Sequence, residues 1–379
     1  MFSRRDYQVG EIISVSLPFV HVLNKEFKGK NCDYCFVECK NDDLEKCSDC
    51  EKMYYCGKDC QQKDWIQHKL ECKFYKENFN QMDDIYFRFV LRLYLYLKDN
   101  PERLHERFKL LSDENSSVSF RCIYLQQFLF KDETAISFES FYKQFQLLKK
   151  EWDQGKLASD YAICNEYGLH IFNYKMQRLG IGLYIAESQL KHYCLSNTKI
   201  LYNGTQLVMR ATKPIKTGEQ ITVKNRAYPP ITIPEDSNKI SIMNFNFSHM
   251  CICLSCASQN DIHLMLIFLG LCREMPFAYH SYEWREMYII HKKITSILNE
   301  VYSECDLPQI LQKIIMLETY VMLHDDDEKS SVAELAKRLE IELPSVYNEI
   351  FANTYFNREE EPYVTIVKAL ANVEFNVKN

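Results

Sequence analysis

Cys32-Asp33-Tyr34-Cys35, Cys47-Ser48-Asp49-Cys50, Cys56-Gly57-Lys58-Asp59-Cys60 and His68-Lys69-Leu70-Glu71-Cys72 are four closely spaced pairs of soft ligands. Zn²⁺ takes four N/S donors in a tetrahedron, and a C-x2-C turn supplies two of them from one tight loop. Eight donors make two closed sites with no position left for water, which marks structural rather than catalytic zinc. His68 and Cys72 stand four apart, so they share a face of a helix. The segment from Lys58 to Cys72 has the composition for one, with Gln61, Gln62, Lys63, Trp65, Lys69 and Leu70. The competing reading is a disulfide framework, which needs an oxidising compartment. Met1-Phe2-Ser3-Arg4-Arg5-Asp6 is followed by no apolar run of the kind a secretory signal carries. The cysteines are therefore expected as thiols and metal ligands, in cytoplasm or nucleus. A module this small has almost no apolar core, so metal would supply most of its folding energy, on the order of 10 kcal/mol per ion.

Composition bounds the rest. The chain has 379 residues, enough for two or three domains, and its 46% apolar and 26% charged content is that of a soluble globular protein. A net charge of −6 provides no basic field for nucleic acid or anionic lipid. The stretch 32–72 holds six Lys and no Arg against ten Asp and Glu, a balance of −4 that opposes phosphate contact. The longest apolar run, Ile262 to Cys272, is too short to span a bilayer and reads as a buried helix. Neither nucleic acid nor membrane is an expected partner.

Along the chain, residues 7–23 place β-branched and aromatic residues around Gly10 and Pro18 and read as short strands with a turn. Residues 81–98 carry Ile85, Phe87, Phe89, Val90, Leu93, Leu95 and Leu97 and read as a helix buried on most sides, ending near Pro101. Residues 101–155 continue with helical periodicity, broken at the polar stretch 113–117. Tyr161 to Asn173 reads as β-compatible. Gly180–Tyr184 is a turn into a strand, and 199–210 is a hairpin around Asn203-Gly204. From Asp261 onward the pattern is helical, with breaks near Pro276, Pro308, Pro344 and Pro362.

The order of ligands in 32–72 resembles the MYND zinc finger. That resemblance implies interleaved pairs, with Cys32, Cys35, Cys56 and Cys60 on one ion and Cys47, Cys50, His68 and Cys72 on the other. A second constellation, Cys251-x-Cys253-x2-Cys256, supplies three thiols within six residues and needs a fourth donor, for which His249 and Cys194 are the candidates. A MYND finger followed by this C-x-C-x2-C is similar to the SET-and-MYND (SMYD) family of protein-lysine methyltransferases. The resemblance is carried further by Gly180-Ile181-Gly182-Leu183-Tyr184 and by Ser188-x-Leu190-Lys191-His192-Tyr193-Cys194-x-x-Asn197. Tyr202-Asn203-Gly204, Arg210-Ala211 and Ile215-Lys216-Thr217-Gly218-Glu219-Gln220-Ile221-Thr222 complete it.

The resemblance implies an α+β fold: a split SET β-domain interrupted by the finger, a post-SET zinc site and a helical, TPR-like C-terminal domain. The implied division is 1–31 for the first part of SET, 32–72 for the finger, and 73–160 for a helical linker and SET insertion. The SET core then occupies 161–230, the post-SET segment 231–260 and the helical domain 261–379. It also implies that Cys194 joins Cys251, Cys253 and Cys256 on a third zinc ion. Protein partners follow from it too, with proline-rich peptides at the finger and a monomeric chain.

In that family the S-adenosylmethionine pocket is lined by the positions of Cys164, Asn165, Lys191 and His192. The family motif has Asn where this chain has Lys191, which puts a cation beside a sulfonium ligand. Its two active-site tyrosines fall at Asn225 and Phe247, with Tyr228 a substitute three residues beyond the first. Its Gly-x-Gly loop belongs just before Tyr7, where the chain reads Met1-Phe2-Ser3-Arg4-Arg5. Methyl transfer needs the target amine aligned and neutral, and removing one positioned group costs about 10²–10³ in rate. The expected function is that of a methyltransferase-like SET/MYND protein, catalytically weak or inactive, serving as a zinc-stabilised interaction module. The alternative is an active S-adenosylmethionine-dependent protein-lysine N-methyltransferase.

Overall fold

The computed structural model describes residues 1–39, 44–77, 80–110, 113–121, 132–148, 150–173, 177–193, 196–223 and 283–301, with single positions at 123, 312, 313, 316, 319 and 320. In chain order the strands begin with β1 (Ile12–Ser16) and β2 (Val20–Leu23), followed by the short β3 (Glu45–Lys46) and β4 (Tyr54–Tyr55). Helices α1 (Lys58–Lys76) and α2 (Ile85–Asp99) come next, then β5 (Arg107–Leu110), β6 (Asp113–Ser119), α3 (Asp132–Gln146) and α4 (Gln154–Tyr167). Strands β7 (Gly168–Phe172), β8 (Arg178–Leu183), β9 (Lys191–His192), β10 (Thr198–Asn203), β11 (Gln206–Ala211) and β12 (Thr222–Val223) precede α5 (Trp284–Val301).

Two sheets join the start of the chain to its middle. One has the order β1-β11-β10-β12-β9 and the other β2-β8-β7. β1 lies antiparallel to β11, with Ile12 opposite Arg210 and Ser16 opposite Leu207, and β2 lies antiparallel to β8, with Val20 opposite Leu183. Strands from the first part of the chain therefore pair with strands of the 161–230 segment. β2 ends at Leu23 and the next strand of its sheet, β7, begins at Gly168, so the stretch between them is an insertion into this β-unit. The hairpin expected around Asn203-Gly204 connects β10 to β11, and Gly204 sits in the left-handed region at φ 61°. That conformation is cheap only for glycine.

Helix α2 carries the insertion. Asp84 caps it by accepting hydrogen bonds from the N–H groups of Tyr86 (2.8 Å) and Phe87 (2.9 Å), worth about 1 kcal/mol. Every residue from Phe87 to Leu97 is buried, because α2 packs on α1, on α4 and on β2. Its aromatic and aliphatic side chains join the core formed with Phe138, Phe141 and Phe145 of α3 and Leu157, Tyr161 and Ile163 of α4. A second core, under the β-unit, holds Tyr7, Ile13, Ile171, Tyr184, Leu207 and Met209.

Two sequence expectations are corrected. Residues 101–155 are not continuously helical: 107–119 form the β5–β6 hairpin, with Phe108 opposite Val118. The polar stretch taken as a helix break is strand β6 itself. What selects the hairpin is long-range, since Phe108 packs edge-on against Phe19 at a centroid distance of 5.8 Å. Nor is 161–173 strand throughout. Asp153 accepts the N–H of Lys156 (3.0 Å) to start α4, which runs to Tyr167 before β7 begins at Gly168. Leu157, Asp160, Tyr161 and Cys164 recur at helical spacing on its buried face. α4 spans residue 160. In the last third, α5 agrees with the helical class, and most of 261–379 lies outside the described residues. No helix among the described residues is long and apolar enough to cross a membrane.

Candidate metal centre and its surroundings

The two C-x2-C turns are built alike. The N–H of Phe36 reaches Cys32 O and that of Glu51 reaches Cys47 O, both at 2.9 Å. The residue after each second cysteine is left-handed, Phe36 at φ 60° and Glu51 at φ 56°. This closes a tight loop and aims both thiols of a pair to one side. Helix α1 then delivers Cys60, His68 and Cys72, and Cys56 immediately precedes it.

The structure groups the eight side chains as Cys32, Cys35, Cys56 and Cys60 in one set and Cys47, Cys50, His68 and Cys72 in the other, the donor atoms of each set lying within 4.8 Å of one another. A tetrahedron with Zn–S bonds of about 2.3 Å has S···S edges of about 3.8 Å. Cys35–Cys56 at 3.7 Å, Cys56–Cys60 at 3.5 Å and Cys47–Cys72 at 3.9 Å match that edge. His68 Nε2 lies 3.4 Å from both Cys47 Sγ and Cys50 Sγ, close to the roughly 3.5 Å a Zn–N bond would require. The donors therefore fit Zn²⁺, and no described cysteine is in a disulfide. The second set is entirely buried, whereas Cys56 in the first is exposed. Thiolate formation is favoured locally: the Cys35 thiol hydrogen-bonds to Cys32 and draws it down to about 6. At Cys47 the effect of burial, which raises the thiol, is outweighed by the N–H groups of Cys50 and Asp49, leaving it at about 7.

Behind the second set lies a buried ionic network that sequence reading missed. Arg88 and Arg92 of α2 are each 1% exposed. Arg92 donates to Asp64 Oδ1 (3.0 Å), to Glu71 Oε1 and to the backbone carbonyl of His21 in β2 (2.9 Å). Arg88 donates to Glu71 Oε1 and to Leu23 O, both at 3.4 Å, and lies 3.8 Å from Asp33 Oδ1. Asp33, between the first two ligands, also accepts from Lys28 Nζ (3.0 Å) and from the N–H of Tyr54 (2.9 Å). Tyr55 donates its hydroxyl to Asp64 Oδ2 at 2.8 Å. Burial alone would raise the Glu71 carboxyl, but the charges of Arg92 and Arg88 hold it well below the usual range. Lys28, Arg88 and Arg92 balance Asp33, Asp64 and Glu71, which is the condition for burying charge without a large penalty. The sequence signal was two arginines four apart inside the apolar run 85–97.

The finger is also keyed into the β-unit. Phe36 is 2% exposed in the core beneath the sheets. A Cβ at Gly180 would collide with its ring, and a Cβ at Gly204 would collide with the Cys35 carbonyl oxygen.

The residues expected along a cofactor pocket are only partly described. Cys164 is buried in the apolar core and Asn165 is exposed, both on α4. Lys191 and His192 form β9, parallel to β12, with Lys191 opposite Thr222 and His192 opposite Val223. Asn197 fixes this corner: its Oδ1 accepts the N–H of Thr222 (3.0 Å) and its Nδ2 donates to Gln220 O (2.9 Å). Cys194, Asn225, Tyr228, Phe247, His249, Cys251, Cys253 and Cys256 lie outside the described residues.

An interleaved pair of closed zinc sets on two knuckles and a helix defines a zinc-finger protein, and residues 32–72 match the MYND finger family. MYND fingers mediate protein interactions. Over 258 residues the chain is 27% identical to N-lysine methyltransferase SMYD2 of Homo sapiens, a match covering 67% of this chain and 57% of the relative. It is 27% identical to histone-lysine N-methyltransferase SMYD3 of Homo sapiens over 259 residues, 66% of this chain and 57% of the relative. SMYD2-B, an N-lysine methyltransferase of Xenopus laevis, is 27% identical over 258 residues, with 67% and 57% covered. The chain is thus similar to SMYD-family lysine methyltransferases over about two thirds of its length. The match spans a little over half the length of these relatives.

Proposed function

We propose that this is a lysine-methyltransferase-like SET/MYND protein whose methyl transfer is weak or absent, and which acts in cytoplasm or nucleus as a zinc-stabilised protein-interaction module. On this reading β1, β2 and β7–β12 are the split SET domain and the finger and helices its insertion. Cys194, Cys251, Cys253 and Cys256 close a third zinc site, and the C-terminal helices are TPR-like.

The observation that carries the reading is Lys191. In the family's motif this position is an amide against the cofactor, and here it is a cation on edge strand β9. S-adenosylmethionine is itself a sulfonium, so like charges meet, and burying the ammonium adds a desolvation cost unless a carboxylate pairs with it. Asn225 and Phe247 support the same conclusion, since neither supplies the hydroxyl of the family's tyrosines. Bound S-adenosylmethionine would supply the methyl group, with Cys164, Asn165, Lys191 and His192 nearest to it.

The interaction reading is supported by apolar surface on the finger's flank. Leu17 and Ile66, both exposed, border a cleft of about 250 Å³ whose walls include Pro18, Tyr34, Tyr96 and Phe108. A proline-rich peptide suits such aromatic walls.

The test is calorimetric titration of the full chain with S-adenosylmethionine, followed by assay for S-adenosylhomocysteine and for a lysine mass increase of one methyl group. Absent or very weak turnover is expected. Robust turnover overturns the proposal and establishes an active lysine methyltransferase.

A further inference from the structure

His68 offers Nε2 to the metal set, so its other nitrogen decides how firmly the ring is held. Among the described residues His68 Nδ1 makes no hydrogen bond, and the charged atom facing it is Glu71 Oε1, at 3.6 Å. Both side chains are fully buried. Glu71 is one helical turn along α1 from His68, but it is not held by the finger. Its Oε1 is gripped by Arg92 and Arg88, which come from α2, and these arginines also donate to His21 O and Leu23 O of β2. A chain of contacts therefore runs from the donor set through the imidazole, a carboxylate and two guanidiniums to the backbone of the β-unit.

We infer that Glu71 is the outer-sphere carboxylate of the Cys47/Cys50/His68/Cys72 zinc site, and that Arg88 and Arg92 are positioning residues for it. This zinc site thus extends beyond residues 32–72 into helix α2 and strand β2. A carboxylate behind a ligating histidine fixes the ring's tautomer and orientation and raises its basicity. Losing such a partner typically costs roughly 10–100-fold in metal affinity. An Arg pair gives the carboxylate a defined place because each guanidinium presents several fixed donors. The four-cysteine set has no histidine for such a carboxylate to hold, so the two sites differ in what they depend on.

The consequence is selective. Glu71→Gln keeps the shape of the side chain and removes its charge. In the full-length protein loaded with Co²⁺, the S3N set and the S4 set have different d–d bands, so competition with a chelator reads each site separately. Glu71→Gln is expected to weaken metal retention at the S3N set by roughly 10–100-fold and to leave the S4 set unchanged. Arg92→Met is expected to act through the same carboxylate, so Glu71→Gln with Arg92→Met should cost the S3N set little more than Glu71→Gln alone. Should either variant fail to accumulate folded, Glu71→Asp, which keeps the charge and withdraws it by one methylene, is read in the same way. Hydrogen exchange supplies a second readout: stripping metal from the wild type should speed exchange in β2 and α2 as well as in the finger. Equal loss at both metal sets, no loss at either, or metal removal that leaves β2 and α2 protected would each overturn the inference.

Discussion

Replacing Gly204 by alanine isolates what seats the finger on the β-unit. Two costs arise at this position. The residue is left-handed at φ 61°, which costs a non-glycine residue about 1–2 kcal/mol. In addition, the new Cβ would come closer than 3.0 Å to the backbone carbonyl oxygen of Cys35. That atom cannot swing away, because Cys35 is a zinc-ligand position in a closed knuckle, so the hairpin or the finger must shift. Overpacking of this kind costs typically 1–3 kcal/mol. Together the change is about 2–5 kcal/mol, a large share of the 5–15 kcal/mol that holds an ordinary domain. Gly218 is the internal control. It is also left-handed, at φ 84°, but a Cβ there would meet nothing within 4 Å. Gly218→Ala should therefore cost only the conformational part. The assay is chemical denaturation of both variants alongside wild type, with limited proteolysis between residues 32 and 72 to report undocking. A Gly204→Ala variant no less stable than Gly218→Ala, with the finger equally protected, would refute the claim that hairpin and knuckle are in rigid contact.

Further outcomes are expected. Metal analysis of the purified chain should return three zinc ions, two of them from residues 32–72, and Cys47→Ser should expose the finger to protease; a metal-free wild type that keeps the finger protected would contradict this. Asp160 is buried on α4, and burial pushes its carboxyl up to about 8 from an ordinary 3.8. The folded chain then holds a proton that the unfolded chain releases, so stability should fall as pH rises through that window, by at most about 1.4 kcal/mol per pH unit. Asp160→Asn should flatten the slope, and thermal melts at stepped pH that keep the wild-type slope in the variant would exclude Asp160 as its source. Lys191→Asn should raise affinity for S-adenosylmethionine without restoring turnover. Titration showing no gain would place the Lys191 charge away from the cofactor.

The zinc finger was legible in the sequence because its chemistry is local. A C-x2-C turn and an i, i+4 pair on a helix put donors together whatever the rest of the chain does, and helices α1 and α2 followed from spacing and from the apolar run 85–97. The pairing of 7–23 with β8 and β11 came from resemblance to a family with a split β-domain, since no periodicity names a strand's partner. Other features were decided only by packing at a distance. Residues 107–119 became a hairpin because Phe108 meets Phe19, and 154–167 became a helix because one face fits against α2. Arg88 and Arg92 read as misplaced charges in an apolar run, yet they are tolerated because Asp64, Glu71 and two β2 carbonyls wait for them. A charge's partner is chosen by the fold, and that choice ties a zinc-ligand histidine to a strand nearly fifty residues before it.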